Sequence, residues 1–203
     1  THGDERGLRL PPQVAPIQVV VLPIAAHKPG VLEDAKAIAD RLTAAGVRVK
    51  FDDRDTVSPG WKFNEWEMKG VPVRLEVGPR DLENNQVMVA RRDTFEKFAL
   101  PMDGLEGEIE ALLASIQKTM FEQARDFRNE HTVEVHNYDE LKAAVEGGFA
   151  KGMWCGDAAC EEKLKADINA TTRNMPFDQT PCGDTCCVCG KRATKLMYFA
   201  KAY

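Results

Sequence analysis

The chain has no hydrophobic stretch long enough to cross a membrane, and its N-terminus lacks the hydrophobic core of a signal peptide. A membrane-spanning helix needs roughly 20 consecutive apolar residues, and no run in this sequence approaches that length. We therefore expect a cytoplasmic protein without a membrane partner. With 203 residues, of which 43% are hydrophobic and 29% charged, the chain can bury one large core or two small ones.

The usual signs of a catalytic centre are also missing. No serine or cysteine nucleophile stands near a base in the sequence, no glycine-rich loop could hold a phosphate, and the four histidines are scattered. The adjacent acids Asp52 and Asp53 are interpreted as a solvated strand end, which is commoner than a catalytic pair. The residues alone therefore favour a binding or regulatory module.

The net charge of −5 disfavours a protein that binds nucleic acid through bulk positive charge. The charge is unevenly distributed, however. Residues 47–100 contain ten basic and ten acidic residues, residues 101–170 contain seven and fifteen, and residues 171–203 contain five and two. The sequence thus excludes a general polyanion binder and permits a selective one.

Hydrophobic patterning predicts an α/β domain over residues 17–101, preceded by a connector at residues 1–16. Its mixed sheet has about five strands with flanking helices. The predicted strands are 17–22, 47–51, 71–77, 86–92 and 94–100. The predicted helices are 30–45 and a short one from Ser58 and Pro59 to about Lys69.

A long helix with apolar residues at helical spacing is predicted within residues 102–131, where it connects two domains. Residues 132–203 then form a smaller α+β domain. Its predicted elements are helices at 138–146 and 161–168 and strands at 149–154 and 196–200.

Residues 51–83 combine charged and aromatic side chains on short elements broken by glycine and proline. Phe63 and Trp66 share one face of the short helix, and Arg74 lies opposite Val73 and Leu75 on the following strand. Charged groups beside flat aromatic surfaces suit unstacked nucleic-acid bases. The alternative is a solvated surface over a small core, which the residues alone favour.

All six cysteines lie in the last quarter of the chain, at positions 155, 160, 182, 186, 187 and 189. Paired thiolates from two turns can surround a structural zinc ion, and we predict the ligands Cys155, Cys160, Cys186 and Cys189. Cys186 is preferred to Cys187 only because a two-residue spacing to Cys189 is usual. Disulfides and free thiols are the alternatives, and a cytoplasmic location disfavours disulfides.

Five segments together resemble the C-terminal part of the prolyl-tRNA synthetases that carry a C-terminal zinc domain. They are THGDERGLRLPP, PGWKFNEWEMKGVP, EVGPRDLE, ATTRNMPF and YFAKAY. The resemblance covers the whole chain. It implies a class II enzyme that uses ATP and Mg²⁺ to activate proline and joins it to tRNA(Pro), with a catalytic domain that precedes this stretch. We expect the chain by itself to be inactive, and the full-length enzyme to be a homodimer.

The resemblance also implies roles for particular residues. The domain at 17–101 would have the anticodon-binding fold of class II synthetases and read the UGG anticodon. The terminal Tyr203 would fold back towards the active site of the catalytic domain. The implied anticodon contacts are Phe63, Glu67, Arg74, Arg80, Asp81 and Lys97.

Two other classes of function remain open at this point. A freestanding tRNA-binding or regulatory paralogue would keep this architecture without ligase activity. A zinc-stabilised protein-interaction module would explain the cysteines but not the GPRDLE and FAKAY segments.

Overall fold

The computed structural model describes residues 2–202, which divide into one compact unit up to Glu122 and another from Gln123 onward. The division falls inside the helix α4 (Leu105–Glu130), within the predicted connecting segment. Among the described residues, no helix is long and apolar enough to cross a membrane.

The first unit is built on a mixed five-stranded sheet, as the sequence predicted. Parallel strands β4, β3 and β5 are followed by antiparallel β6 and β7, in that order across the sheet. The strands of this unit are β1 (Gly3–Asp4), β2 (Gly7–Leu8), β3 (Val19–Pro23), β4 (Val49–Phe51), β5 (Val73–Val77), β6 (Gln86–Arg91) and β7 (Lys97–Pro101). Its other helices are α1 (Val31–Ala44), α2 (Pro59–Met68) and α3 (Pro79–Glu83).

The two faces of this sheet differ. On one face, the alternate valines and leucines of β3, β5 and β6 pack against α1 and α4 in a large core. On the other face, Val20 and Leu22 pack with Trp66 of α2 in a smaller core. The alternation predicted for β5 is confirmed, because Val73, Leu75 and Val77 all belong to the large core.

The short helix α2 begins where the sequence predicted. Ser58 is its N-cap, with the side-chain oxygen accepting a 3.3 Å hydrogen bond from the Trp61 N–H, and Pro59 occupies the first turn. The prediction missed α3, although Pro79 in the first turn and Asp81 two residues later are helix-start signals.

Residues 3–8 form the hairpin β1–β2, whereas the sequence predicted a connector. The hairpin lies against the C-terminal end of α2 at two glycines. A Cβ on Gly7 would come within 2.6 Å of the Met68 backbone, and one on Gly70 within 2.7 Å of Leu8. These close approaches hold the hairpin in place. They join residues that are far apart in sequence, so a local pattern of apolar residues does not predict them.

The second unit has a four-stranded sheet in the order β10-β11-β9-β8, so that its α+β class is confirmed. Strands β10 (Ala170–Asn174) and β8 (Thr132–Val135) were not predicted. The remaining elements are α5 (Tyr138–Ala144), β9 (Phe149–Trp154), α6 (Ala158–Ile168) and β11 (Lys195–Lys201). Strands β9, β10 and β11 pair antiparallel, and β8 pairs parallel to β9.

Candidate functional site

The sheet face that carries α2 is open along β6 and β7. In the register of these strands, Arg74, Ala90 and Lys97 lie side by side across β5, β6 and β7. Ala90 is partly exposed and Lys97 is exposed, so the helix does not cover this end of the face. The result is a surface with a helix on one side and charged side chains on its floor.

Glu76 holds the two cations of this surface in place. Its carboxylate accepts a 3.2 Å hydrogen bond from Arg74 Nε and a 2.6 Å hydrogen bond from Lys97 Nζ, while only 8% of its side chain is exposed. The Arg74 guanidinium also lies 4.3 Å from the centre of the Phe63 ring. One acid on β5 thus fixes two donors beside an aromatic ring.

A cavity of about 180 Å³ opens on the same surface. Glu67 of α2 lines it together with Arg74 and Lys97, so three of the six implied anticodon contacts meet there, and Phe63 adjoins them through Arg74. The Glu67 carboxylate has a 3.4 Å contact with Arg6 Nη1, from the turn of the β1–β2 hairpin.

The other two implied contacts, Arg80 and Asp81, lie on α3 directly after β5 and do not line the cavity. Arg80 is exposed. One carboxylate oxygen of Asp81 accepts a 3.0 Å hydrogen bond from the Gly78 N–H, which fixes the start of α3. Asp81 therefore has a structural role whatever else it contacts.

Sequence reasoning missed four residues that line this cavity: Arg6, Arg91, Arg92 and Phe95. Arg92 is only 4% exposed, and it donates to both carboxylate oxygens of Asp4 at 2.7 Å and to the Glu67 carbonyl at 2.9 Å. Its partners are far away in sequence. The RRDTFEK segment did carry a usable signal, because phenylalanine is not among the residue types that turns prefer.

The interpretation of Asp52 as a solvated strand end was wrong, since Asp52 is only 2% exposed. It accepts hydrogen bonds from the Trp66 indole at 2.8 Å and from two nitrogens of Arg54 at 2.6 and 2.8 Å. Burial disfavours its charged form, but the hydrogen bonds from Arg54 and Trp66 hold the pKa of this carboxyl well below its usual range.

Lys62 joins the same buried group. The residue is only 5% exposed, and its Nζ donates to the Asp52 carbonyl at 3.1 Å. The network of Asp52, Arg54, Lys62 and Trp66 thus attaches α2 to the end of β4. It sets the position of the helix that carries Phe63 and Glu67.

In the second unit, Cys155, Cys160, Cys186 and Cys189 meet with all four sulfur atoms within 4.8 Å of one another. Cys155 Sγ lies 3.6 Å from Cys160 Sγ and 3.8 Å from Cys189 Sγ. Cys155 and Cys160 lie where β9 ends and α6 begins, and Cys186 and Cys189 lie in one tight turn. Gly190 closes that turn with a 2.8 Å hydrogen bond from its N–H to the Cys186 carbonyl and a φ of 72°.

The two other cysteines stand outside this four-sulfur cluster. Cys187 is 1% exposed, and its N–H donates to the Met153 carbonyl of β9 at 2.9 Å, which directs the residue into the core of the second unit. Burial raises the pKa of the Cys187 thiol to about 12, so it is a neutral core side chain at pH 7.

The implied active-site residue Tyr203 lies outside the described residues. The chain immediately before it is anchored: the Ala202 N–H donates a 2.7 Å hydrogen bond to the carbonyl of Asn169, the residue at the C-terminal end of α6.

Comparison with known families gives two matches. Residues 18–112 match the family model of the anticodon binding domain, and residues 138–203 match the model of the prolyl-tRNA synthetase C-terminal domain. The chain belongs to the prolyl-tRNA synthetase family. It represents the anticodon-binding and C-terminal part of that family, and the fold class predicted from the resemblance is confirmed.

Curated relatives within this family align with the whole chain. Proline–tRNA ligase of Alkaliphilus oremlandii is 53% identical over 204 residues, and proline–tRNA ligase 2 of Clostridioides difficile is 55% identical over 205 residues. Each alignment covers 100% of this chain. The chain spans 42% and 43%, respectively, of the length of these two prolyl-tRNA synthetases.

Proposed function

We propose that this chain is the tRNA-recognition part of an enzyme that activates proline with ATP and Mg²⁺ and transfers it to tRNA(Pro). The observation that carries the proposal is the surface formed by Phe63, Glu67, Arg74 and Lys97. It presents the Glu67 carboxylate, two oriented cations and an aromatic ring within a single open face.

This set of groups suits guanine, which occurs twice in the UGG anticodon. A carboxylate accepts hydrogen bonds from guanine N1 and N2, whereas arginine or lysine donates to O6 and N7. Glu76 supports this role by holding Arg74 and Lys97 in fixed positions before a base arrives. The even balance of acids and bases in residues 47–100 also favours reading of base edges over attraction to phosphates.

A binding measurement tests the anticodon proposal. The 203-residue chain is titrated into a short RNA stem-loop with a UGG anticodon and into variants with adenine in place of each guanine. We expect Arg74→Ala to reduce the discrimination between guanine and adenine by about 1–3 kcal/mol. Lys36→Ala is the matched control, because Lys36 is an exposed cation of α1, which packs on the opposite face of the sheet.

Glu67→Ala provides a second arm of this experiment. If Glu67 reads a base, its loss weakens binding of the UGG stem-loop and leaves a non-cognate stem-loop little changed. A carboxylate that merely lay near phosphates would repel them, so that its removal would tighten binding of every RNA. Equal effects of Arg74→Ala and Glu67→Ala on cognate and non-cognate RNA would refute base reading.

We also propose that the four-cysteine cluster binds one structural zinc ion. Zinc–sulfur bonds of 2.3 Å in a tetrahedron separate the sulfur atoms by about 3.8 Å. The distances of 3.6 and 3.8 Å from Cys155 Sγ to its neighbours agree with that separation, and all four sulfur atoms lie within 4.8 Å of one another. With four protein ligands the ion has no open position for a substrate, so its role is to hold the two turns together.

The remaining parts of the proposal concern the full-length enzyme. Its catalytic domain would precede this stretch and receive Tyr203, and the enzyme would act as a homodimer in the cytoplasm. The gene sequence upstream of Thr1 tests this directly. Class II catalytic motifs in the same reading frame would support a ligase, and an initiating methionine immediately before Thr1 would support a freestanding tRNA-binding paralogue.

A further inference from the structure

Phe95 adopts an unusual conformation at the edge of the proposed anticodon surface. It lies in the turn between β6 and β7, closed by a 2.9 Å hydrogen bond from the Arg91 N–H to the Glu96 carbonyl, and its φ is 62°. Left-handed backbone is unfavourable for a bulky L-residue, and strain of this kind is concentrated at functional sites. The side chain is nevertheless 44% exposed rather than buried in a core.

Two guanidinium groups lie against the Phe95 ring, and they differ in how firmly they are held. Arg92 Cζ is 5.1 Å from the ring centre and is fixed by Asp4 and the Glu67 carbonyl. Arg6 Cζ is 4.4 Å from the ring centre, but the Arg6 side chain is 61% exposed, and its contact with the Glu67 carboxylate is 3.4 Å long. Arg6 is therefore the group that can leave.

We propose that Phe95 is a base-stacking residue and that Arg6 covers it in the RNA-free protein. This inference rests on the proposed anticodon function. A single movement of Arg6 uncovers the Phe95 ring and the Glu67 carboxylate together. One unpaired base can then stack its face on the Phe95 ring and donate hydrogen bonds from its edge to Glu67. Arg92 stays against the ring and keeps it in place, while the released Arg6 pairs with an RNA phosphate.

The substitutions Phe95→Leu and Phe95→Trp distinguish stacking of a base on the ring from the effect of side-chain size. Both keep a large side chain on the strained backbone, but only tryptophan keeps a ring. Loss of one aromatic stacking contact weakens single-strand binding by about fivefold or more. We expect Phe95→Leu to weaken binding of the UGG stem-loop by at least that factor and Phe95→Trp to bind as the unmodified chain does.

The substitution Phe95→Gly tests whether Phe95 affects RNA binding only through the stability of the fold. Glycine relieves the left-handed backbone, so this variant should unfold at an equal or higher urea concentration than the unmodified chain while binding RNA as weakly as Phe95→Leu. A structural role for Phe95 would instead make folding stability and RNA binding fall together, and that result would overturn the proposal.

Arg6→Ala tests the movement of the arginine. If Arg6 pairs with a phosphate in the complex, its removal reduces the slope of log affinity against log salt by about one, whereas Phe95→Leu leaves the slope unchanged. Should Arg74→Ala lose guanine discrimination while Phe95→Leu binds normally, the stacking inference fails and the anticodon function stands. If neither variant changes binding, both fail.

Discussion

The indole N–H of Trp66 donates a 2.8 Å hydrogen bond to the Asp52 carboxylate, and both side chains are more than nine-tenths buried. Trp66 belongs to α2, and Asp52 follows β4 directly. The same carboxylate faces the buried Lys62 ammonium at 3.8 Å. An ionised acid therefore sets the distance between the sheet and the helix that carries Phe63 and Glu67.

Asp52→Ala should destabilise the first unit strongly. The substitution removes the acceptor of the Trp66 indole N–H and the carboxylate that faces the buried Lys62 ammonium, and breaking a buried charged pair from one side costs about 3–5 kcal/mol. Urea unfolding of the 203-residue chain measures the effect. Asp53→Ala is the control, because Asp53 is adjacent but exposed. Equal stability of the two variants would contradict a structural role for Asp52.

Acid should release the N-terminal hairpin from the first unit. The hydrogen bond from Arg92 lowers the pKa of Asp4 from 3.8 to about 2. A lowered carboxyl pKa stabilises the folded state above pH 3.8, and this contribution disappears as the pH falls to about 2. The difference in unfolding free energy between the unmodified chain and Asp4→Asn should therefore be largest at pH 7 and vanish near pH 2. A difference that does not depend on pH would contradict this assignment.

Removing one cysteine of the cluster should unfold the second unit and leave the first largely intact. Thiolate ligation of zinc is coupled to folding, so Cys160→Ser or Cys189→Ser should lose the ion together with the structure of residues 150–203. Elemental analysis and circular dichroism measure the two losses. Cys182→Ser is the control, since Cys182 stands outside the cluster and should retain zinc.

The zinc proposal has a direct counter-result. Protein purified without chelators and found to contain no zinc would count strongly against it. A disulfide between Cys155 and Cys160 in the purified protein would exclude this ligand set.

Asp81 needs two substitutions to separate its roles. Asp81→Ala removes the acceptor for the Gly78 N–H and should destabilise the first unit by about 1 kcal/mol, the usual effect of losing a helix cap. Asp81→Asn keeps a side-chain oxygen there and should leave stability nearly unchanged. If Asp81 contacts the anticodon, both variants weaken binding of the UGG stem-loop. Normal RNA binding by Asp81→Asn would restrict Asp81 to its role in α3.

Arg80→Ala makes a cleaner comparison because Arg80 is exposed on the same helix. We expect this variant to be as stable as the unmodified chain and to bind the UGG stem-loop more weakly. An unchanged affinity would remove Arg80 from the anticodon surface.

Deletion of Tyr203 in the full-length enzyme should lower the rate of proline activation more than it weakens tRNA binding. The reason is the proposed approach of Tyr203 to the catalytic domain. ATP–pyrophosphate exchange measures activation, and Tyr203→Phe, which keeps the ring, is the matched control. Unchanged exchange after the deletion would show that the last residue has no part in activation.

The sequence by itself determined the elements whose signals are local. The period of apolar residues located α1, β5 and β9, and Ser58 with Pro59 located the start of α2, because helix capping involves neighbours within one turn. The spacing of cysteines selected Cys186 over Cys187 for the same reason. Two ligands in one tight turn face the same point when two residues separate them, as Cys187 and Val188 separate Cys186 from Cys189.

Only the tertiary structure decided which charged side chains are buried and which contacts form the cavity. Asp4 and Arg92 are 88 residues apart, and Arg6 and Glu67 are 61 residues apart, so no local pattern links them. In sequence, Lys62 and Asp52 resemble exposed charged residues. Both are buried in the structure, where the Lys62 ammonium and the Asp52 carboxylate lie 3.8 Å apart and offset each other's charge. The position of Phe95 beside Arg6 likewise follows from the packing of a hairpin against a distant turn, which places the ring and the Glu67 carboxylate on one surface.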